Sequence, residues 1–205
     1  MDGLATGTAA IAALFLFLIA ALVGGDTAIP FMAIVLAGAL AGFLGFNVTP
    51  ARIFLGDTGS LFIGFMMGAL SMIVSYSPQN PLSVGAPLLL LAVPIFETGF
   101  VAFHRARKGI PFFRGSPDHF ALRVTNAGVS VRATVMGAYK ASAVLGCLAL
   151  LLVFGPESLA PWVLGTAFAA VLIAGVLLSR LPPPGETASL RPRREREPRG
   201  KAIDG

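Results

Sequence analysis

The stretch LATGTAAIAALFLFLIAALV, residues Leu4 to Val23, runs for twenty residues without a charge. That is about the length a helix needs to cross the hydrocarbon core of a bilayer. Asp2 precedes the run, with no lysine or arginine and no small-residue cleavage site, so it reads as a retained span and not as a cleaved secretory signal. Comparable apolar runs lie near 30–46, 60–77, 84–103, 134–154 and 160–180, separated by segments rich in Gly, Pro, Asn and Asp. These residues favour turns, so they mark breaks between helices.

The rest of the composition agrees. Of the residues, 56% are hydrophobic and 12% charged, where a soluble domain carries about 25% charged residues. The mean hydropathy is +0.83. The fold class is therefore read as all-α: a polytopic transmembrane bundle of about six spans over residues 1–180, with both termini on one side. A soluble nucleotide-binding protein is excluded. The net charge of +5 does not point to nucleic acid, because the basic residues flank apolar runs instead of forming a stripe on a folded surface.

Charge placement tests the span count independently, since cytoplasmic loops accumulate Lys and Arg. Arg52 lies in the second connection. Arg105, Arg107, Lys108, Arg114, Arg123 and Arg132 lie in the fourth, and Lys140 sits in the first turns of the fifth span. Arg180 closes the sixth, and six more basic residues from Arg191 to Lys201 fill the tail. The first, third and fifth connections have none. The amino terminus, segments 47–59 and 104–133, and the tail are thus expected in the cytoplasm. The tail, 181–205, is rich in Pro, Arg and Glu and is expected to be a disordered basic segment, since it has too little apolar surface to offset ordering. Cys147 is the single cysteine and supports neither a disulfide framework nor a metal cluster.

Three polar clusters fall on the charged side. The first runs from Asn47 through Pro50-Ala-Arg-Ile-Phe to Gly56-Asp-Thr-Gly-Ser60. Its glycines permit close approach of a phosphate or metal, Asp57 offers a hard oxygen ligand suited to magnesium, and the amides at the start of the next helix form an anion site. The competing reading is an ordinary helix cap. The second cluster, Pro94-Ile-Phe-Glu-Thr98, places Glu97 inside an apolar span. Such a group either faces a polar cavity or snorkels to Arg105 or Arg107. The third, Gly115-Ser-Pro-Asp-His-Phe-Ala-Leu-Arg123, gathers Asp118, His119 and Arg123, a set able to bind a diphosphate, against the competing reading of His119 as an ordinary surface residue. His104, the other histidine, reads as an interfacial anchor.

Together these motifs resemble the polyprenyl-phosphate N-acetylhexosamine-1-phosphate transferases, the MraY- and WecA-type enzymes of glycosyltransferase family 4. Pro-Ala-Arg-Ile-Phe followed by Gly-Asp-Thr-Gly-Ser-Leu61 is close to that family's most recognisable loop. Pro94-Ile-Phe-Glu-Thr98 is similar to its Pro-Ile-Phe-Asp-Thr segment, with Glu for Asp, and Asp2-Gly-Leu-Ala5 matches the end of its Asp-Gly-x-Asp-Gly-Leu-Ala motif. The resemblance covers residues 1 to about 125. It implies that a polyprenyl phosphate attacks the β-phosphate of a UDP-sugar, most simply UDP-N-acetylglucosamine, and releases UMP in cell-wall or surface-polysaccharide synthesis such as that of peptidoglycan.

The implied cofactor is Mg2+, with Asp57 as its ligand and catalytic acid and Asp2 as a second active-site acid. Asn47 would line the nucleotide site and His119 with Arg123 would contact the diphosphate, with Arg52, Glu97 and Asp118 as further substrate-binding candidates. The implied setting is the bacterial plasma membrane, with the site facing the cytoplasm and a second copy of the chain a candidate partner. Two departures stand out. The family's earlier half, with its aspartate pair, has no counterpart here, so the chain is expected to be a carboxy-terminal half, either with its start assigned to an internal methionine or from a reading frame that is a fragment. The family's His-x-His-His-Arg reads His119-Phe-Ala-Leu-Arg123, so only its first histidine and arginine carry over. The alternative is a non-catalytic membrane scaffold or transporter fragment.

Overall fold

The structure, a computed structural model, describes residues 2–76, 80–107, 109 and 119–181. Asp118, Lys108, Arg114 and the tail from 182 onward lie outside these. Among the described residues the fold is all-α. Helix α1 spans Leu4–Val23, α2 Ala28–Asn47, α3 Gly56–Ile73, α4 Ala86–Leu90, α5 Ala92–Arg107, α6 Phe120–Asn126, α7 Val131–Phe154 and α8 Ala160–Ser179, with short 3-10 turns at Pro81–Gly85 and Glu157–Leu159. Five helices (α1, α2, α3, α7 and α8) are long and apolar enough to cross a membrane, and there are six spans if the bent pair Pro81–Leu90 and Ala92–Arg107 counts as one. The chain is a multi-pass membrane protein.

Helix α1 is the hub, packed chiefly on α2 and α7. Apolar side chains gain nothing by leaving lipid for one another, so association depends on close packing of small residues. Ala12, Ala13, Ala20, Ala33, Ala37 and Ala149 accordingly fill the core around Leu16, Ile19 and Leu152. The outer faces are apolar too: Phe65, Met72, Trp162 and Phe168 are exposed, as lipid contact requires.

Polar groups lock the bundle at both ends. At the end without Lys or Arg, the Asn80 side-chain amide and the Ser83 hydroxyl both donate to the Leu152 carbonyl, each at 3.1 Å, satisfying one of the orphan acceptors in the last turn of α7. At the other end, Ser130 caps α7 by accepting from the Ala133 N–H.

Two elements differ from expectation. The span expected as one run over 84–103 is broken at Leu91, where α4 and α5 meet at 68°. Pro94 explains this, since in a continuous helix its ring would strike the Leu90 carbonyl and its nitrogen could not donate to it. Helix α3 begins at Gly56, four residues before the predicted start of that span, so Gly56-Asp-Thr-Gly-Ser60 forms its first turn. Gly56 makes the entry with φ of 66°, a conformation that favours glycine.

Candidate active site at the charged end of the bundle

The turn before α1 and the connection from α2 to α3 are bound together through one side chain. Asn47, 3% exposed, accepts at Oδ1 from the Gly3 N–H (3.0 Å) and the Thr6 hydroxyl (2.9 Å), and its Nδ2 donates to the Ile53 carbonyl at 2.9 Å. The Ala51 N–H donates to the Asp2 carboxylate at 3.3 Å, and the Tyr139 hydroxyl of α7 donates to the Gly3 carbonyl at 2.6 Å. Gly7 admits that tyrosine: a Cβ there would sit 2.1 Å from the ring. The structure thus brings Asp2 and the Arg52 loop together. Asn47, expected to line a nucleotide site, is engaged by the chain itself.

Asp57 has the opposite setting. It lies exposed in the first turn of α3, where the helix dipole favours a negative charge. The Ser60 hydroxyl bonds to its backbone carbonyl, leaving the carboxylate open to solvent. Arg52 is also exposed.

Glu97 and His119 meet across α5 and the start of α6, with Nδ1 of His119 3.0 Å from Oε1 of Glu97. A carboxylate only accepts, so opposite an ionised Glu97 it is Nδ1 of His119 that donates. The pair was not legible beforehand, since 22 residues separate its members. Aromatic packing of Phe96 on Phe100 and Phe120 holds α6 against α5. Arg123, expected at a diphosphate, is 3% exposed; its guanidinium lies 5.4 Å from the Phe100 ring centroid and donates to the Leu181 carbonyl, tying α6 to the end of α8.

A cavity of about 640 Å³ opens between α1, α3 and α5. Most of its wall is apolar, with Ala9, Ile63, Met67 and Val101 among the lining, which also includes Ser60, Glu97, Thr98, Arg105 and His119. Sequence reading named Arg105 as a loop charge and a pairing partner for Glu97, and quoted Ser60 and Thr98 within motifs without giving either a role. Helical spacing was the signal that could have found them: Ser60 lies three residues beyond Asp57, and Thr98 lies seven residues before Arg105 on one helix face.

Among the described residues no three His, Cys, Asp or Glu side chains cluster to hold a metal. Magnesium, however, is commonly held by one or two carboxylates together with substrate phosphates, and an exposed Asp57 at a helix start is a donor of that kind. The break at Leu91 resembles the interrupted helices of transporters, which surround polar midplane sites. Here its neighbours are Leu89, Leu90 and Val93, and acids and bases gather at the membrane end instead.

The fold and this polar end define a multi-pass membrane protein that assembles ionisable groups at one face of the bilayer. Residues 1–75 match the Glycosyl transferase family 4 profile, and the chain belongs to that family. It is 36% identical over 139 residues to a probable undecaprenyl-phosphate N-acetylglucosaminyl 1-phosphate transferase of Bacillus subtilis, covering 68% of this chain and 38% of that protein. It is 34% identical over 119 residues to a phospho-N-acetylmuramoyl-pentapeptide-transferase of Clostridioides difficile, covering 58% and 36%. A decaprenyl-phosphate N-acetylglucosaminephosphotransferase of Mycobacterium tuberculosis is 30% identical over 195 residues, covering 86% and 47%. The chain thus spans about a third to a half of the length of these relatives. No solved structure matches it.

Proposed function

We propose that this chain forms the cytoplasmic face of an enzyme that transfers a sugar-1-phosphate, in the first instance N-acetylglucosamine-1-phosphate, from a UDP-sugar to a polyprenyl phosphate. The observation that carries the reading is the cavity between α1, α3 and α5. It joins an apolar wall within the membrane to Glu97, Arg105 and His119, and so offers one site to a lipid tail and to phosphates. The names of the three relatives support the same reaction class.

In this reaction an oxygen of the lipid phosphate attacks the β-phosphorus of the nucleotide sugar, the bond to the bridging oxygen breaks, and UMP leaves with that electron pair. The protein's contribution is positioning and charge neutralisation. Asp57 would hold Mg2+ jointly with the phosphates, and the bound ion supplies stabilisation of the charge that develops on the transferring group. His119, aligned by Glu97, and Arg105 line the cavity to meet the diphosphate, with Arg52 contributing positive charge from the connection between α2 and α3. Asn47 and Arg123 hold the loops in place, and Asp2 lies at the junction of two of them. The polar face is assigned to the cytoplasm of a bacterial plasma membrane because every Lys and Arg among the described residues lies towards that end of the bundle.

The test is incorporation of radiolabelled UDP-N-acetylglucosamine, with magnesium, into chloroform-extractable polyprenyl lipid. Membranes would carry the 205-residue chain, the chain extended upstream in its own reading frame, or the extended form with Asp57→Asn. Labelling that disappears with Asp57→Asn supports the transferase. Failure of the extended form with this donor and with UDP-N-acetylmuramoyl-pentapeptide rejects it.

A further inference from the structure

A second recess lies on another flank of the bundle, between α5, α6, α7 and α8. It measures about 710 Å³, within the range of ligand sites. Gly137 and Ala141 of α7 and Ala170 and Ala174 of α8 form its walls. These small side chains leave a slot where larger ones would have let the two helices close.

Lys140 lines the same recess and is exposed. It lies nine residues into α7, about 14 Å from the helix start at 1.5 Å per residue. The helix, at 24 residues, is about 36 Å long and exceeds the hydrocarbon core by about 6 Å. The ammonium therefore starts within the apolar layer, and its four-carbon stem can carry it to the headgroup level. No acid among the described residues pairs with it. Raised to the headgroup level, the cation stands beside the mouth of an apolar slot. That pairing suits an occupant with an apolar chain in the slot and a negative charge at its head.

We infer that this recess is a binding site for an anionic phospholipid of the surrounding bilayer, an acyl chain lying between α7 and α8 and the headgroup phosphate meeting Lys140. The site is separate from the cavity that holds Glu97 and His119, and the inference does not rest on the transferase reading.

The experiment is native mass spectrometry of the purified full chain, titrated in parallel with phosphatidylglycerol and phosphatidylcholine. The parent protein should retain phosphatidylglycerol with at least a tenfold preference. Lys140→Gln should abolish the preference, Lys140→Arg should keep it, and Ala170→Phe, which fills the slot, should lose both lipids. Circular dichroism and gel filtration matching the parent establish that each variant is folded. The inference is overturned if folded Lys140→Gln keeps the preference, if folded Ala170→Phe binds like the parent, or if cysteine placed at 170 cross-links efficiently to a second copy in membranes.

Discussion

Asn47 closes α2 and Asp57 opens α3, ten residues apart across one connection, and the two have opposite surroundings. Asn47 is buried with both ends of its amide engaged by Gly3, Thr6 and Ile53, whereas Asp57 stands exposed with its carboxylate open. The contrast separates two uses of polarity at the end of a membrane bundle. A buried and satisfied group fixes the frame, and an exposed group at a helix start is left to meet a ligand.

Gly7→Leu tests the frame most severely. With no space beside the Tyr139 ring, α1 and α7 must separate, and no folded protein should be recovered by size-exclusion chromatography in detergent. Asn47→Leu leaves two donors and one acceptor without partners. It should cost about 3 kcal/mol, read as a lowered denaturation midpoint, and a stability equal to the parent's would dissolve the distinction. Asp57→Asn should do the reverse, lowering lipid labelling by about a hundredfold while the melting temperature stays put; a matching fall in both would make Asp57 a structural cap. Glu97→Gln should have the smallest effect. Losing the carboxylate that orients His119 should reduce labelling by about tenfold, and His119→Gln added to it should cost little more, because the two side chains act as one unit.

The spans were legible because lipid leaves the chain little choice. A run such as Leu4 to Val23 must satisfy its own backbone, and a helix does so. The break at Leu91 was less so. Pro94 stood in plain view, but membrane helices tolerate proline when neighbours satisfy the freed groups, so the residue alone does not distinguish a kinked span from a broken one. The start of α3 was misplaced because Gly56 and Gly59 carry the composition of a turn, and the helix absorbed them. In the site, Asp57 and Glu97 could be singled out as charges beside or within apolar runs. The roles of Asn47 and Arg123 depend on partners 41 to 58 residues away, and nothing local in a sequence records such a contact.

The seating of Tyr139 against Gly7 has a consequence for how this chain can change over generations. The two positions lie 132 residues apart, yet any side chain at position 7 needs the ring at 139 to withdraw first, and a smaller residue at 139 would open a void that position 7 is then free to fill. Each single step passes through a poorly packed protein, so the two sites should drift as a pair, and variants of this chain that carry alanine or serine at 7 should carry something smaller than tyrosine at 139.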